Sequence, residues 1–238
     1  MQAQYNDLTC NWILTILIFN SKCIAYVKKY YLLAIPIIIG IIVAYYLQNP
    51  SEDKQEKITT QMLMQNGTPL MGNADAKITI VEWGDYQCTF CYKFSQSSQN
   101  IIIEEYITTG KANFVFRDFP VNGPDSVLAA EASYCANDQG KYWEYHDEIY
   151  KNWAGEKTGW VNRESLEQFA KTVNLDVDIF NKCLDDDKYK QKVLDNEKFG
   201  TNMGIKATPS FLICNNEKIM KIEGNQPLSI FIQVLDTI

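Results

Sequence analysis

Apolar and polar positions repeat with two different periods along this chain, and each change of period marks a predicted element. Apolar residues recur at helical spacing over residues 92–107 and throughout 124–204, and a last helix is predicted from about Pro227. Segments rich in β-branched or aromatic residues are predicted to be strands: 77–83 (KITIVEW), 112–119 (ANFVFRDF), 208–214 (TPSFLIC) and 218–222 (KIMKI). The order is strand, helix, strand, helical block, hairpin, helix, which predicts an α/β sandwich with a helical insertion at about 124–204.

One continuous apolar run lies near the N-terminus, at residues 31–47 (YLLAIPIIIGIIVAYYL). Its length of about 17 uncharged residues is close to the lower limit for crossing a bilayer core of about 30 Å, and it exceeds a typical signal-peptide core. No small-residue cleavage site follows it, so we predict an uncleaved transmembrane anchor, with a cleaved signal peptide as the alternative. Lysines precede the run, and by the positive-inside rule this predicts a cytoplasmic N-terminus and an outer location for everything after about Pro50.

The chain is therefore expected to have four parts. They are an N-terminal segment in the cytoplasm or at the membrane interface, 1–30, to which we assign no function, the anchor, 31–47, a polar tether, 48–67, and an outer domain, 68–238. The formal net charge is -7, and Lys and Arg are scattered in the outer part rather than clustered. A phosphate backbone would find no basic face to bind, so nucleic acid is not expected as a partner.

Two of the seven cysteines, Cys88 and Cys91, are separated by two residues and lie between a predicted strand and the helix that follows it. Such a pair can close a small disulfide ring, and the helix N-terminus stabilises the thiolate of the first cysteine, lowering its pKa below the free value of about 8.5. Cys88 is thus the candidate nucleophile and Cys91, one turn further in and more buried, the candidate resolving thiol. Two other interpretations stay open: half of a zinc site, for which the chain offers a single histidine and no second CxxC motif, and a purely structural bridge.

Four sequence motifs occur in order along the outer part: VEWGDYQCTFCYKF, RDFP, CANDQGKYWEYHDEIY and IKATPSFLIC. In their order and spacing they resemble successive motifs of the DsbA-like thioredoxin family, and the resemblance covers about Thr68 to the C-terminus. It implies a thioredoxin-like α/β fold with a helical insertion, preceded here by the transmembrane helix. It also implies the activity of an extracytoplasmic thiol-disulfide oxidoreductase.

The resemblance implies roles for Pro209 and Glu82. Pro209 matches the cis-proline that faces the dithiol, where it leaves the preceding backbone free to pair with an extended substrate chain; an ordinary turn proline is the alternative. Glu82 matches a buried acid beneath the active site, where desolvation raises the carboxyl pKa and allows proton exchange with Cys91; a side chain that points outward from the strand is the alternative. We expect the Cys88 sulfur to be exposed and easily ionised, across from Pro209.

Three candidate substrate-binding residues, Thr89, Phe90 and Thr208, depart from the pattern of the strong oxidants in the family. Strong oxidants of the family have a dipeptide similar to Pro-His between the two cysteines. Here Thr89 lacks the stiffness of proline, and Phe90 supplies no cation to stabilise the thiolate. Thr208 precedes the cis-proline, as in several reducing or isomerising relatives. These three residues leave the direction of electron flow open.

Some relatives carry a second, structural disulfide at positions that match Cys135 and Cys183, and the resemblance implies such a bridge here; two buried free thiols are the alternative. The resemblance implies exported polypeptides as substrates and a membrane redox partner that recharges the dithiol. We expect no cofactor and no metal ion. We therefore predict net oxidation of exported proteins outside the cell membrane. The rival hypotheses are a disulfide reductase or isomerase, and a thioredoxin-fold module for metal-centre assembly whose dithiol holds copper.

Overall fold

The computed structural model describes residues 35–45, 48 and 58–238. The chain divides into two compact units, Met1–Lys57 and Ile58–Ile238. In the first unit, residues 35–45 form helix α1, whose side chains are exposed.

The predicted anchor is described only in part. The N-terminal segment 1–30 and both ends of the anchor, 31–34 and 46–47, lie outside the described residues. Over the ranges that are described, no helix combines the length and the apolar character needed to cross a membrane. The anchor therefore stays a prediction.

The second unit is built on a five-stranded sheet in the order β1-β3-β2-β4-β5. The strands are β1 Met71–Gly72, β2 Ile78–Gly84, β3 Ala112–Asp118, β4 Ser210–Cys214 and β5 Ile219–Glu223. The central pair β2 and β3 is parallel, and the other neighbours are antiparallel. The four strands predicted from the sequence are confirmed with boundaries shifted by one or two residues.

Successive residues of β2 enter two different apolar clusters. Ile80 belongs to the main core, whereas Val81 and Trp83 belong to a smaller cluster. Because side chains alternate between the faces of a strand, the two clusters lie on opposite sides of the sheet. Both faces are covered, which is why β2 and β3 are buried along nearly their whole length.

Helices pack around this sheet in the order expected for an α/β sandwich. They are α2 Thr60–Met64, α3 Thr89–Gln96, α4 Ser98–Ile102, a π-helical turn Ile103–Ile107, α5 Pro124–Asn137, α6 Tyr142–Lys151, α7 Arg163–Thr172, α8 Val177–Asp185, α9 Lys190–Asn202 and α10 Leu228–Thr237. The predicted helical insertion is confirmed as α5 to α9. Side chains cap two of its helices, since Asn162 accepts from a backbone N–H of α7 and Asp176 from two of α8.

The prediction of one continuous helix over residues 92–107 is wrong. The helix begins earlier, at Thr89, and is interrupted at Ser97, whose backbone leaves the helical region (φ -127°, ψ -87°). The Ser97 hydroxyl donates to the carbonyl oxygen of Lys93 (2.7 Å). A serine side chain that bonds the backbone one turn earlier competes with the helical hydrogen-bond pattern, so two shorter helices form.

The prediction that a tether extends to residue 67 also needs correction, because residues from Ile58 onward belong to the compact unit. Helix α2 buries Leu63 completely. Arg117 on β3 donates to the carbonyl oxygens of Leu63 (2.9 Å) and Gln65 (2.8 and 2.9 Å), which the C-terminus of a helix leaves unpaired. A buried leucine and an arginine distant in sequence therefore attach this segment to the sheet, although its composition is that of a linker.

Candidate active site

The dithiol lies where the central strand β2 ends and helix α3 begins. Cys88 is the N-cap residue of α3, and its N–H donates to the carbonyl oxygen of Asp85 (3.0 Å), which closes the turn between strand and helix. Cys91 follows within the first turn of the helix. The Cys88 side chain therefore stands at the helix N-terminus, where backbone N–H groups lack a partner within the helix.

Asp85 fixes this turn through three hydrogen bonds. Its carboxylate accepts from the backbone N–H groups of Gln87 (2.8 Å) and Asn122 (2.7 Å) and from the hydroxyl of Ser126 (2.7 Å). Ser126 lies in the first turn of α5, so the carboxylate connects the active-site turn to the start of the insertion. Burial raises the pKa of Asp85, and these hydrogen bonds oppose the rise.

The environment of Cys88 favours its ionised form. A hydrogen bond from the Cys91 thiol is the largest influence, and it lowers the pKa of Cys88 to about 6 although burial opposes the change. The Thr208 side chain and the backbone N–H groups of Cys91 and Phe90 lower this pKa further. At neutral pH the sulfur is therefore mostly a thiolate, the form that attacks disulfides and leaves from them.

Cys91 has the opposite environment. Burial raises the pKa of its thiol well above the usual value, and its hydrogen bond to Cys88 and the charge of Cys88 raise it further. Cys91 is 1% exposed, against 5% for Cys88, so the prediction that the second cysteine is the more buried is confirmed. The two sulfurs thus differ in charge at neutral pH.

The expectation that the Cys88 sulfur is exposed is wrong, since only 5% of this residue is accessible. The loop before β4 covers it, and the Cys88 thiol donates to the carbonyl oxygen of Thr208 (3.4 Å), a residue 120 positions further along the chain. Phe90, two residues on, is 55% exposed. The sulfur therefore lies just below the surface.

The loop that covers Cys88 contains a cis peptide bond between Thr208 and Pro209. This is the cis-proline that the resemblance implies. The Thr208 hydroxyl is buried and has no hydrogen-bond partner in the described part of the chain, so it is free to donate to the Cys88 thiolate. The backbone of Thr208 and the side chain of Thr208 therefore both face the reactive sulfur.

Glu82 is buried on β2, and the alternative of an outward-facing side chain is wrong. It pairs with Phe116 on β3 and with Phe211 on β4, on the side of the main core. Burial raises the pKa of Glu82 well above its usual range, and the charge of Cys88 raises it further. The charge of Glu82 also raises the pKa of Cys91, so the carboxyl is within electrostatic reach of both sulfurs.

The sequence did not reveal a loop from the helical insertion, residues 153–157, that packs on the active-site turn. The indole N–H of Trp153 donates to the carbonyl oxygen of Gln87 (3.0 Å), and the Trp153 ring stacks on Tyr92 with centroids 4.6 Å apart. The N–H of Thr89 donates to the carboxylate of Glu156 (2.8 Å). These partners are more than sixty positions apart in the chain, so no local pattern could have paired them.

Comparison with known proteins assigns the family. A family model described as Thioredoxin matches residues 64–234. The chain is 30% identical over 188 residues to the probable disulfide bond formation protein D of Bacillus anthracis, covering 77% of this chain and 84% of that protein. The chain belongs to the thioredoxin family.

Solved structures agree with this assignment. The oxidised form of BdbD from Bacillus subtilis superposes with a TM-score of 0.65 at 25% identity, covering 73% of this chain and 92% of that one. The alpha-DsbA1 protein of Wolbachia pipientis superposes with a TM-score of 0.63 at 29% identity, covering 70% and 88%. The chain is therefore a DsbA-like member of the thioredoxin family, with a helical insertion, and its enzyme class is protein thiol-disulfide oxidoreductase.

The remaining cysteines of this thioredoxin-family unit lie in its core. Cys135 on α5 and Cys183 on α8 form a disulfide, with Cα atoms 5.8 Å apart. Cys214 is a buried free thiol on β4, and burial raises its pKa. Within the described residues, no group of three or more His, Cys, Asp or Glu side chains is arranged to hold a metal ion.

The histidine of the family motif is a packing residue in this chain. His146 is buried among aromatic rings, and its Nδ1 atom is 3.0 Å from the Tyr86 hydroxyl. Burial lowers the pKa of His146 to about 3, so the ring is neutral at physiological pH.

Proposed function

We propose that the chain is an oxidant of exported polypeptides. Cys88 is the sulfur that bonds the substrate and is the nucleophile of the reduced form, Cys91 is the resolving thiol, and Pro209 is part of the catalytic surface. One observation carries this proposal. The pKa of Cys88 is lowered to about 6 while that of its neighbour Cys91 is raised, so reduction of the disulfide leaves one stabilised thiolate and one buried thiol. A stabilised thiolate makes the reduced form favourable and the disulfide a better oxidant.

The reaction follows from this asymmetry. A substrate thiolate attacks the Cys88 sulfur of the disulfide, which forms a substrate–Cys88 bond and breaks the Cys88–Cys91 bond. Cys91 takes the electron pair and a proton. A second substrate thiolate then attacks the substrate sulfur of the mixed disulfide, which closes the substrate disulfide and releases Cys88 as a thiolate. Two electrons have moved from the substrate to the dithiol.

Glu82 is proposed as the group that exchanges the proton with Cys91. Its buried carboxyl has a raised pKa, which favours the protonated form, and it interacts electrostatically with both sulfurs. A neutral carboxyl beside a leaving thiolate can supply the proton that a buried Cys91 needs.

Thr89, Phe90 and Thr208 are proposed to contact the substrate. Phe90 presents an exposed aromatic ring next to the dithiol, and an exposed apolar side chain beside a reactive sulfur suits an unfolded polypeptide. Thr208 precedes the cis-proline, and its backbone is positioned to pair with an extended chain bound across the sulfur.

The proposed location is outside the cell membrane, with the N-terminus in the cytoplasm and a single anchor at 31–47. The uncharged run at these residues and the lysines before it support this arrangement. Disulfides persist in oxidising compartments, so the Cys135–Cys183 disulfide is consistent with a location outside the cytoplasm. A membrane redox partner would accept the two electrons that each cycle leaves on the dithiol.

Trapping of mixed disulfides tests the proposal. In the full chain, the Cys91→Ala variant keeps the Cys88 thiolate, which attacks a substrate disulfide to form a substrate–Cys88 bond and release a substrate thiol. The variant lacks the Cys91 thiol that breaks this bond in the parent chain. We expect many different exported proteins to accumulate as disulfide-linked adducts, which a reductant releases on gels.

The matched control is the double variant Cys88→Ala/Cys91→Ala, which should trap nothing. A single trapped partner would favour a dedicated assembly module instead. A complete absence of adducts in the Cys91→Ala variant would contradict the oxidoreductase role of Cys88.

A further inference from the structure

The loop at 153–157 contacts both sequence neighbours of Cys88 in the active-site turn. Gln87, before the cysteine, accepts at its backbone oxygen from Trp153 (3.0 Å) and at its side-chain oxygen from the N–H of Lys157 (3.1 Å). Thr89, after the cysteine, donates its N–H to Glu156 (2.8 Å). The loop therefore holds a carboxylate at the residue next to the reactive sulfur.

The Glu156 carboxylate and the Cys88 sulfur share one helix N-terminus. Helix α3 begins at Thr89, and its first N–H is taken by Glu156, while the next two N–H groups, of Phe90 and Cys91, lower the pKa of Cys88. The N-terminus of a helix carries a partial positive charge that favours anions. Two anions at the same N-terminus each benefit from it, but they repel one another.

Among the residues that the structure describes, Glu156 has no salt-bridge partner. None of the ion pairs found among the described residues includes it. The groups that lower the pKa of Cys88 are Cys91 and the backbone of Phe90 on the helix and the Thr208 side chain on the loop before β4. The charge of Cys88 in turn raises the pKa of Glu82 on β2. Lys93, the nearest basic residue of α3 in sequence, lies over the Phe90 ring at 5.3 Å from its centroid.

We propose that Glu156 is a positioning residue that sets the oxidising strength of the dithiol, because its carboxylate at the start of α3 repels the Cys88 thiolate. This inference rests on the proposed function and deepens it. In this proposal, a residue of the helical insertion lowers the oxidising strength of the dithiol.

The repulsion acts on one side of the redox reaction only. Two glutathione thiols reduce the Cys88–Cys91 disulfide, and the products are one glutathione disulfide and the two protein thiols, of which Cys88 loses its proton to solvent. The disulfide form carries no charge on sulfur, whereas the reduced form has a thiolate beside Glu156. The carboxylate thus disfavours the reduced form and weakens the protein as an oxidant.

The test compares the full chain, purified in mild detergent, with its Glu156→Gln variant. Glutamine keeps an oxygen that can accept from Thr89 and removes the charge. We expect the Cys88 pKa, measured from the ultraviolet absorbance of the thiolate, to fall by about half a unit to one unit. The equilibrium constant for reduction by glutathione should rise about three- to tenfold, since a pKa unit corresponds to a factor of ten.

Two controls separate charge from structure. Glu217→Gln makes the same charge change in the β4–β5 turn and should leave both quantities unchanged. High salt should shrink the difference between the parent chain and Glu156→Gln, because dissolved ions screen the exposed Glu156 carboxylate.

The inference is overturned if Glu156→Gln matches the parent chain in both quantities and only Glu156→Ala, which also removes the hydrogen bond, differs. It is equally overturned if the Cys88 pKa of Glu156→Gln rises. A parent chain that exchanges no disulfide with glutathione would instead refute the proposed function, so the two failures are distinguishable.

Discussion

At the scale of residues, the site works through two sulfurs that the protein makes chemically different. Cys88 and Cys91 are three positions apart, yet the pKa of the first is lowered to about 6 and that of the second is raised. The Cys91 thiol is itself the main cause of the lowered pKa of Cys88, because it donates a hydrogen bond to the thiolate. The lowered pKa stabilises the reduced fold: this contribution is fully present above about pH 8.5 and is lost as the pH falls through about 6.

A titration of the reduced chain tests this cause. Thiolate absorbance should show an ionisation with a midpoint near 6, which disappears in Cys88→Ala. In Cys91→Ala the midpoint should move upward, because the strongest hydrogen bond to the sulfur is lost, but it should stay below the free value of about 8.5 since the helix N–H groups remain. A parent midpoint near 8.5 would contradict the account.

At the scale of elements, the sequence predicted what is local and missed what is brought together from a distance. The dithiol, the strand before it and the helices of the insertion follow from spacing and periodicity. The covering of Cys88 by Thr208 joins residues 120 positions apart, and the contact of Thr89 with Glu156 joins residues 67 apart. Neither partner carries a local signal, so exposure of the sulfur was predicted wrongly and the loop at 153–157 was not predicted at all.

The same limit applies to the N-terminal edge of the domain. The segment after Ile58 is polar enough to be predicted as a linker, but a single buried leucine, Leu63, and the distant Arg117 attach it to the sheet. Motif order, by contrast, led to Pro209 and to the pair Cys135 and Cys183, because those positions come from resemblance rather than from local pattern.

The disulfide between α5 and α8 should stabilise the insertion without taking part in exchange. It joins cysteines separated by 48 residues, and closing a loop of that length is worth about 4 kcal/mol in the chain-entropy estimate. Denaturant unfolding of Cys135→Ala/Cys183→Ala should show a loss of roughly 2–5 kcal/mol in the free energy of unfolding.

Cys214→Ala is the matched control for the disulfide experiment. It removes a buried sulfur but no bridge, so it should lose only about 1 kcal/mol. If the double variant lost no more than this control, the bridge would contribute nothing to stability.

Taken as a whole, the chain carries its reactive dithiol in a thioredoxin-family unit and has a formal net charge of -7. Every element around the dithiol comes from a different part of the chain: the central strand, the loop before β4 and a loop of the insertion. Because these elements meet at the dithiol, residues that are distant in sequence can change its reduction potential. The Thr89–Phe90 dipeptide lacks the proline and the cation of strong oxidants, which favours a dithiol of moderate oxidising strength. The proposed effect of Glu156 on the Cys88 thiolate acts in the same direction.

We propose that the Cys88–Cys91 dithiol is an oxidant, and its equilibrium constant with glutathione measures its oxidising strength. A thiolate pKa near 6 lies between those of the strongest oxidants, about 3.5, and of thioredoxin, about 7. We predict a reduction potential between about -180 and -120 mV for the Cys88–Cys91 pair in the full chain. A value near about -270 mV, that of a thioredoxin-like reductant, would contradict the account.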